Sequence, residues 1–189
     1  MRKIGIYGGT FDPIHHGHLI LAREACETLA LEKMIFVPAA ISPHKLSRVF
    51  APAEIRLEML RVAIDGERCF EIDESELHRN PPSYTIDTVE LIRDREAGVQ
   101  IFYFVGEDNV TALPSWHRFE KLRELVQFVV LHRTGFKTKA SYPIIGRCCD
   151  ISATEIRKRV ATGDSIRYLV PPAVEEIIHR AQLYREMKK

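Results

Sequence analysis

Apolar residues follow two alternating rhythms along this chain. Dense runs at 4–7, 34–37, 69–72, 100–105 and 128–131 read as strands. The Ile-Phe-Tyr-Phe-Val run at 101–105 suits a strand buried on both faces. Between the runs, apolar residues recur at helical spacing. Leu19, Ala22, Cys26 and Leu29 form one stripe, Ile55, Met59 and Val62 a second, and Ile86, Val89 and Ile92 a third. An amphipathic segment at 116–125 begins on Trp116, and a last short extended piece is expected at 149–151. Helices follow over 152–162 and 172–185, the latter with Pro172 in its first turn and Val174, Ile177, Ile178, Ala181 and Tyr184 on its apolar face. Loops are expected at 39–51, 74–83 and 134–142. Strand, helix and strand in close succession make a βαβ unit, with parallel strands and a right-handed crossover. The pattern therefore predicts an α/β fold, a doubly wound parallel sheet over 1–151 closed by a small C-terminal helical part over 152–189. No linker divides it, so 1–189 reads as a single domain.

Residues 8–18, Gly-Gly-Thr-Phe-Asp-Pro-Ile-His-His-Gly-His, join the first strand to the first helix. Gly8 and Gly9 allow close backbone approach to an anion, and a helix start offers unpaired N–H groups and partial positive charge. His15 and His18, spaced i, i+3, fall together on the first turn. The corner reads as a phosphate site, with zinc ligation and plain packing as alternatives. Zinc wants three or four ligands, and only Asp12 stands close by in sequence. A dinucleotide fingerprint, G-x-G-x-x-G, is absent.

Composition narrows the class without choosing a substrate. Hydrophobic residues make up 46% of 189, enough for a core. The net charge of +1 provides no global field for nucleic acid or an acidic membrane, so any anion site must be local. Cys26, Cys69, Cys148 and Cys149 show no C-x-x-C spacing and read as reduced thiols of a cytoplasmic protein. No signal peptide is expected from Met1-Arg2-Lys3 and its short apolar follow-on, and no run approaches the roughly 18 apolar residues of a membrane span.

Near the C-terminus, Ser152-Ala153-Thr154-Glu155 fits a helix capping box, which by itself is structural. Thr154 and Arg157 share a face of that helix and could grip a second phosphate group. Gly106-Glu107-Asp108 follows the fourth strand, where Gly106 permits close approach and Asp108 could accept from a sugar hydroxyl or cap a helix. Lys45 and Arg133 sit in loops, where a solvated cation is the ordinary reading. Trp116 is the only tryptophan, and such a residue usually packs.

Two motifs taken together go further. His15-His16-Gly17-His18 reads as H-x-G-H, and residues 151–157 resemble I-S-S-T-x-I-R, with Ala153 where serine is more frequent. In that order they resemble the nucleotidyltransferase superfamily with its Rossmann-like sheet, and from Lys3 to about Tyr184 the chain is similar to bacterial nicotinate mononucleotide adenylyltransferases. The resemblance implies adenylyl transfer from ATP to nicotinate mononucleotide. It implies His18 facing the α-phosphate with His15 assisting, and Lys45, Arg133 and Arg157 as phosphate ligands. Gly8, Gly9, Thr10, Phe11, Gly106, Asp108, Ser152 and Thr154 would hold ATP, while Tyr84, Thr85, Trp116 and His117 would hold the mononucleotide. Such a reaction needs no general base, because the attacking phosphate is already ionised. Positioning and positive charge supply the catalysis, with Mg²⁺ expected on the ATP phosphates and no metal site of the protein's own. The partners expected are small molecules, not nucleic acid or membrane, and a homo-oligomer is left open. The alternatives are a phosphopantetheine adenylyltransferase, which shares the first motif, and a non-catalytic nucleotide-binding or sensing module.

Overall fold

The computed structural model describes residues 1–39, 51–79, 83–133 and 141–185. Six strands form one sheet: β1 Arg2–Gly9, β2 Lys33–Pro38, β3 Phe70–Ile72, β4 Val99–Gly106, β5 Gln127–His132 and β6 Ile144–Gly146. Their order is β3-β2-β1-β4-β5-β6, and every neighbouring pair is parallel. The chain builds outward from β1 to β3, then returns to lay β4 on the other side of β1. This reversal opens a crevice beyond the carboxyl ends of β1 and β4, where open parallel sheets hold ligands.

Helices cover both faces. On one lie α1 His16–Leu29, α2 Ala53–Ile64, α5 Ala153–Thr162 and α6 Pro172–Arg180, packed through Leu21, Met59, Ile156 and Ile178 onto Phe36 and Phe104. On the other lie α3 Thr85–Arg95, a 3-10 helix Glu107–Ser115 and α4 Phe119–Leu125, packed through Ile86, Val89, Leu113 and Leu122 onto Ile4, Ile6 and Tyr103. The doubly wound α/β expectation holds. So does the logic of the central strands, since the side chains of residues 101–105 are all buried between the two layers.

Several boundaries differ from the sequence reading. The last strand is 144–146, not 149–151. There the Cys149 N–H bonds the Arg133 carbonyl and the Ile151 N–H bonds the Cys149 carbonyl, so the backbone turns locally instead of pairing. Trp116 does not begin a helix. It closes the 3-10 helix in an extended conformation, and left-handed Arg118 (φ 52°) separates it from α4. In α2 the stripe is rotated, with Val62 exposed and the charged Arg56 buried instead. Helix α6 stops at Arg180, because Gln182 (φ 50°) and Tyr184 (φ 60°) take left-handed conformations that turn the chain back. Among the described residues of the polar segment after β3, Asp73, Glu76 and Ser83 are buried.

Candidate active site

The corner between β1 and α1 is held by its own histidines. His15 is the N-cap residue of α1, and its Nδ1 accepts the His18 N–H at 3.3 Å. His18 Nδ1 accepts the His15 N–H in return, also at 3.3 Å. This is a capping box built from imidazoles. The rings stack with centroids 3.7 Å apart. A neutral imidazole whose Nδ1 accepts must carry its proton on Nε2, so both rings present Nε2–H donors. Burial, with help from Arg133, pushes His15 down to about 3, and burial, His15 and Arg133 hold His18 well below the usual histidine range. The positive charge expected at the site does not come from these rings: burial keeps both neutral, with Tyr7 and Phe11 edge-on to His18.

Gly17 brings the two motifs together. A Cβ on it would meet the His15 ring at 3.0 Å and the Ile151 carbonyl at 3.3 Å, so a larger residue would have to push the start of α1 and residue 151 apart by a few tenths of an ångström. On the far side Ser152 caps α5, its Oγ accepting the Glu155 N–H at 3.2 Å. Arg157 reaches back from α5, donating to the Asp12 carbonyl at 2.6 Å and to Thr154 Oγ1 at 3.3 Å. Arg133 donates to the Ile151 carbonyl at 3.2 Å. Phe11 holds a left-handed φ of 48°, the strained turn that bends this loop around the opening.

One cavity of about 190 Å³ results. Gly8, Gly9, Thr10 and Phe11 form its floor, and His15, His18, Ser152, Thr154, Arg157, Gly106, Asp108 and Arg133 its sides. Asp108 lies within the first turn of the 3-10 helix, whose cap is Gly106, so it caps nothing and its carboxylate is exposed to a ligand. The lining offers backbone N–H groups, hydroxyls, imidazole N–H groups and two guanidinium groups: a donor-rich hollow at two helix starts, suited to an extended polyanion.

Residues 6–159 match the cytidylyltransferase-like family. Across 97% of this chain and 87% of theirs, 43% of residues are identical to a probable nicotinate-nucleotide adenylyltransferase of Geobacillus thermodenitrificans. The nicotinate-nucleotide adenylyltransferase of Bacillus subtilis is 37% identical over 97% of this chain and 99% of its own. The chain belongs to the nicotinate-nucleotide adenylyltransferase family. Its fold is shared with the Plasmodium falciparum nicotinic acid mononucleotide adenylyltransferase solved in complex with NaAD, at a TM-score of 0.81 and 20% identity over 97% of this chain and 98% of that one.

In this nicotinate-nucleotide adenylyltransferase relative, the four residues expected at the mononucleotide form a second group outside the main cavity. The Tyr84 and His117 rings stack at 4.3 Å, joining the start of α3 to the segment before α4. Trp116 is half-buried, edge-on to Tyr103 at 5.9 Å. Thr85 Oγ1 lies 3.5 Å from the Tyr103 hydroxyl. Tyr103 connects the two groups, because a Cβ on Gly8 would come within 2.5 Å of that same hydroxyl. Beneath α3, Thr88 Oγ1 donates to buried Glu76 at 2.8 Å, and burial pushes the Glu76 carboxyl up. Lys45 lies outside the described residues.

The sequence reading missed the supports of the site. Arg56 is 2% exposed and donates to the carbonyls of Ala51 at 3.0 Å and of Thr10 and Ala39 at 2.8 Å. Its signal was an arginine on the line of Leu60 and Ile64, where a helix face turns inward. Asp12, also 2% exposed, accepts from the Ala51 N–H at 3.3 Å and from the Tyr184 hydroxyl at 2.6 Å. His132 Nδ1 lies 2.6 Å from Glu107, tying the ends of β4 and β5. No local pattern announces these partners.

Proposed function

We propose that this protein transfers the adenylyl group of ATP to nicotinate mononucleotide, releasing pyrophosphate and forming deamido-NAD, a step of NAD biosynthesis. The observation that carries the reading is the single donor-lined cavity shared by His15, His18, Ser152, Thr154 and Arg157. The triphosphate lies across it, with adenosine toward Gly106 and Asp108, whose carboxylate accepts from the ribose. The mononucleotide's phosphate enters from the Tyr84–Trp116 side, with the pyridine ring against Trp116 and the nicotinate carboxylate near the start of α3 at Thr85.

The mononucleotide's phosphate oxygen forms a bond to the α-phosphorus as the bond from that phosphorus to the β-phosphate bridging oxygen breaks, and the electron pair leaves with pyrophosphate. No proton has to move. The protein contributes alignment and stabilisation of transferring charge. His18 and His15 donate neutral Nε2–H groups to the α-phosphate, while Arg157, Arg133 and the start of α5 receive the pyrophosphate. Lys45 is assigned to the phosphates on its motif alone. The donor set suits phosphate oxygens, and among the described residues no group of three or more His, Cys, Asp or Glu could hold a metal ion. Mg²⁺ would come in with ATP as part of the substrate, neutralising phosphate charge there. The chain acts as one domain, with the ends of the sheet strands and the start of α5 both lining the cavity.

A substrate panel tests the proposal: MgATP with nicotinate mononucleotide, its amide and phosphopantetheine, following pyrophosphate. Release is expected with the first and much less with the others. Release with phosphopantetheine alone would reassign the acceptor. None with any acceptor would leave a nucleotide-binding module.

A further inference from the structure

The C-terminal segment reaches the phosphate loop through one hydroxyl. Beyond α6, the left-handed residues Gln182 and Tyr184 fold the chain back so that Tyr184 Oη donates to Asp12 Oδ1 at 2.6 Å, across 172 positions of sequence. Burial and the neighbouring Asp12 carboxylate raise the Tyr184 phenol far above its ordinary value, so it stays a donor throughout the working pH range. This is the shorter of the two hydrogen bonds that Asp12 Oδ1 accepts among the described residues. Among the described residues, its Oδ1 otherwise accepts the longer Ala51 N–H bond at 3.3 Å, and its buried Oδ2 accepts none. The backbone carbonyl of the same residue receives the Arg157 guanidinium at 2.6 Å. Asp12 thus joins the chain's end to the arginine that faces the cavity. Arg56 fixes the neighbouring carbonyl of Thr10, so residues 10 and 12 are braced from two helices and the C-terminal turn.

We propose that Tyr184 is a positioning residue for the adenylyl transfer described above, on which this inference rests. Its hydroxyl fixes Asp12, and Asp12 sets both the curvature of the loop at residues 8–12 and the aim of Arg157 at the ATP phosphates. Tyr184 itself touches no substrate; it does not line the cavity.

The test is Tyr184→Phe, which removes one oxygen and keeps the ring packed against the core. A hydrogen bond to a charged acceptor carries enough free energy for about a tenfold effect. The expected result is a fall of about tenfold in kcat/KM for MgATP, with the KM for nicotinate mononucleotide changed less than twofold. In an Arg157→Ala background the same substitution should cost almost nothing further, since the residue it aims is gone. Kinetics equal to wild type, equal losses for both substrates, or the same tenfold loss in the Arg157→Ala background would each overturn the proposal. Calorimetric titration with MgATP separates this inference from the functional reading. If the wild-type protein releases no pyrophosphate in the panel, the reading fails, while a weaker MgATP affinity of Tyr184→Phe still supports Tyr184 and an equal affinity overturns it.

Discussion

His15 and His18 each accept the other's backbone N–H on Nδ1, both at 3.3 Å. The pairing decides their chemistry. It uses up the acceptor nitrogen of each ring, fixes the proton on Nε2 and leaves a pair of neutral donors at the start of a helix.

The first prediction concerns donor against charge. His18→Ala should lower kcat by about 10²- to 10³-fold, the usual cost of losing one donor aimed at transferring charge. His18→Gln, which keeps an N–H at a similar reach, should recover part of that loss. Initial rates of pyrophosphate release check both, and an inert His18→Gln would mean that the ring needs its charge after all.

The second concerns pH. Both histidines are neutral in the folded protein down to low pH, His15 to about 3, but protonate near the ordinary value of 6.5 when unfolded. Above 6.5 the two states bind the same protons and these groups add no pH dependence. As pH falls below 6.5 the unfolded chain gains protons that the fold refuses, so stability declines, by at most about 1.4 kcal/mol per pH unit for each ring. Denaturant melts between pH 4 and 8 should show that decline, and it should shrink in His15→Gln.

The third separates the two subsites. Trp116→Ala should raise the KM for nicotinate mononucleotide at least tenfold and that for MgATP little, because the ring lies on the Tyr84 and His117 side and not in the triphosphate cavity. Equal changes in both would reduce Trp116 to packing.

The fourth concerns the buried arginine. Arg56→Met deletes the hydrogen bonds to the carbonyls of Thr10, Ala39 and Ala51 and leaves them short of that donor. A loss of about 2–4 kcal/mol in unfolding free energy is expected, read from chemical denaturation. MgATP affinity should fall with it, since Thr10 belongs to the cavity floor.

Periodicity and local chemistry were sufficient for much of the molecule. The dense run at 101–105 placed a central strand, the Ile86, Val89 and Ile92 stripe placed α3, and Ser152 marked the start of α5, because each depends on neighbours within a few residues. The two corners proposed to bind phosphate were locatable for the same reason: a glycine turn and a helix cap are local objects. The short edge strand 144–146 was not, since three residues carry too little pattern, and neither was the early stop of α6, whose apolar spacing continues through Tyr184 while the backbone does not.

The sequence by itself determined the alternation of strands and helices, the family, and the residue types at the site proposed to bind phosphate. The tertiary structure alone decided that residues 8–18 and 152–157 face one hollow, that the histidines are neutral donors, and that Arg56, Asp12 and Tyr184 brace the loop between them. The reason is physical. Hydrogen bonds between residues tens to hundreds of positions apart, and the desolvation that shifts a proton, arise only when distant segments pack, and no local spacing encodes them.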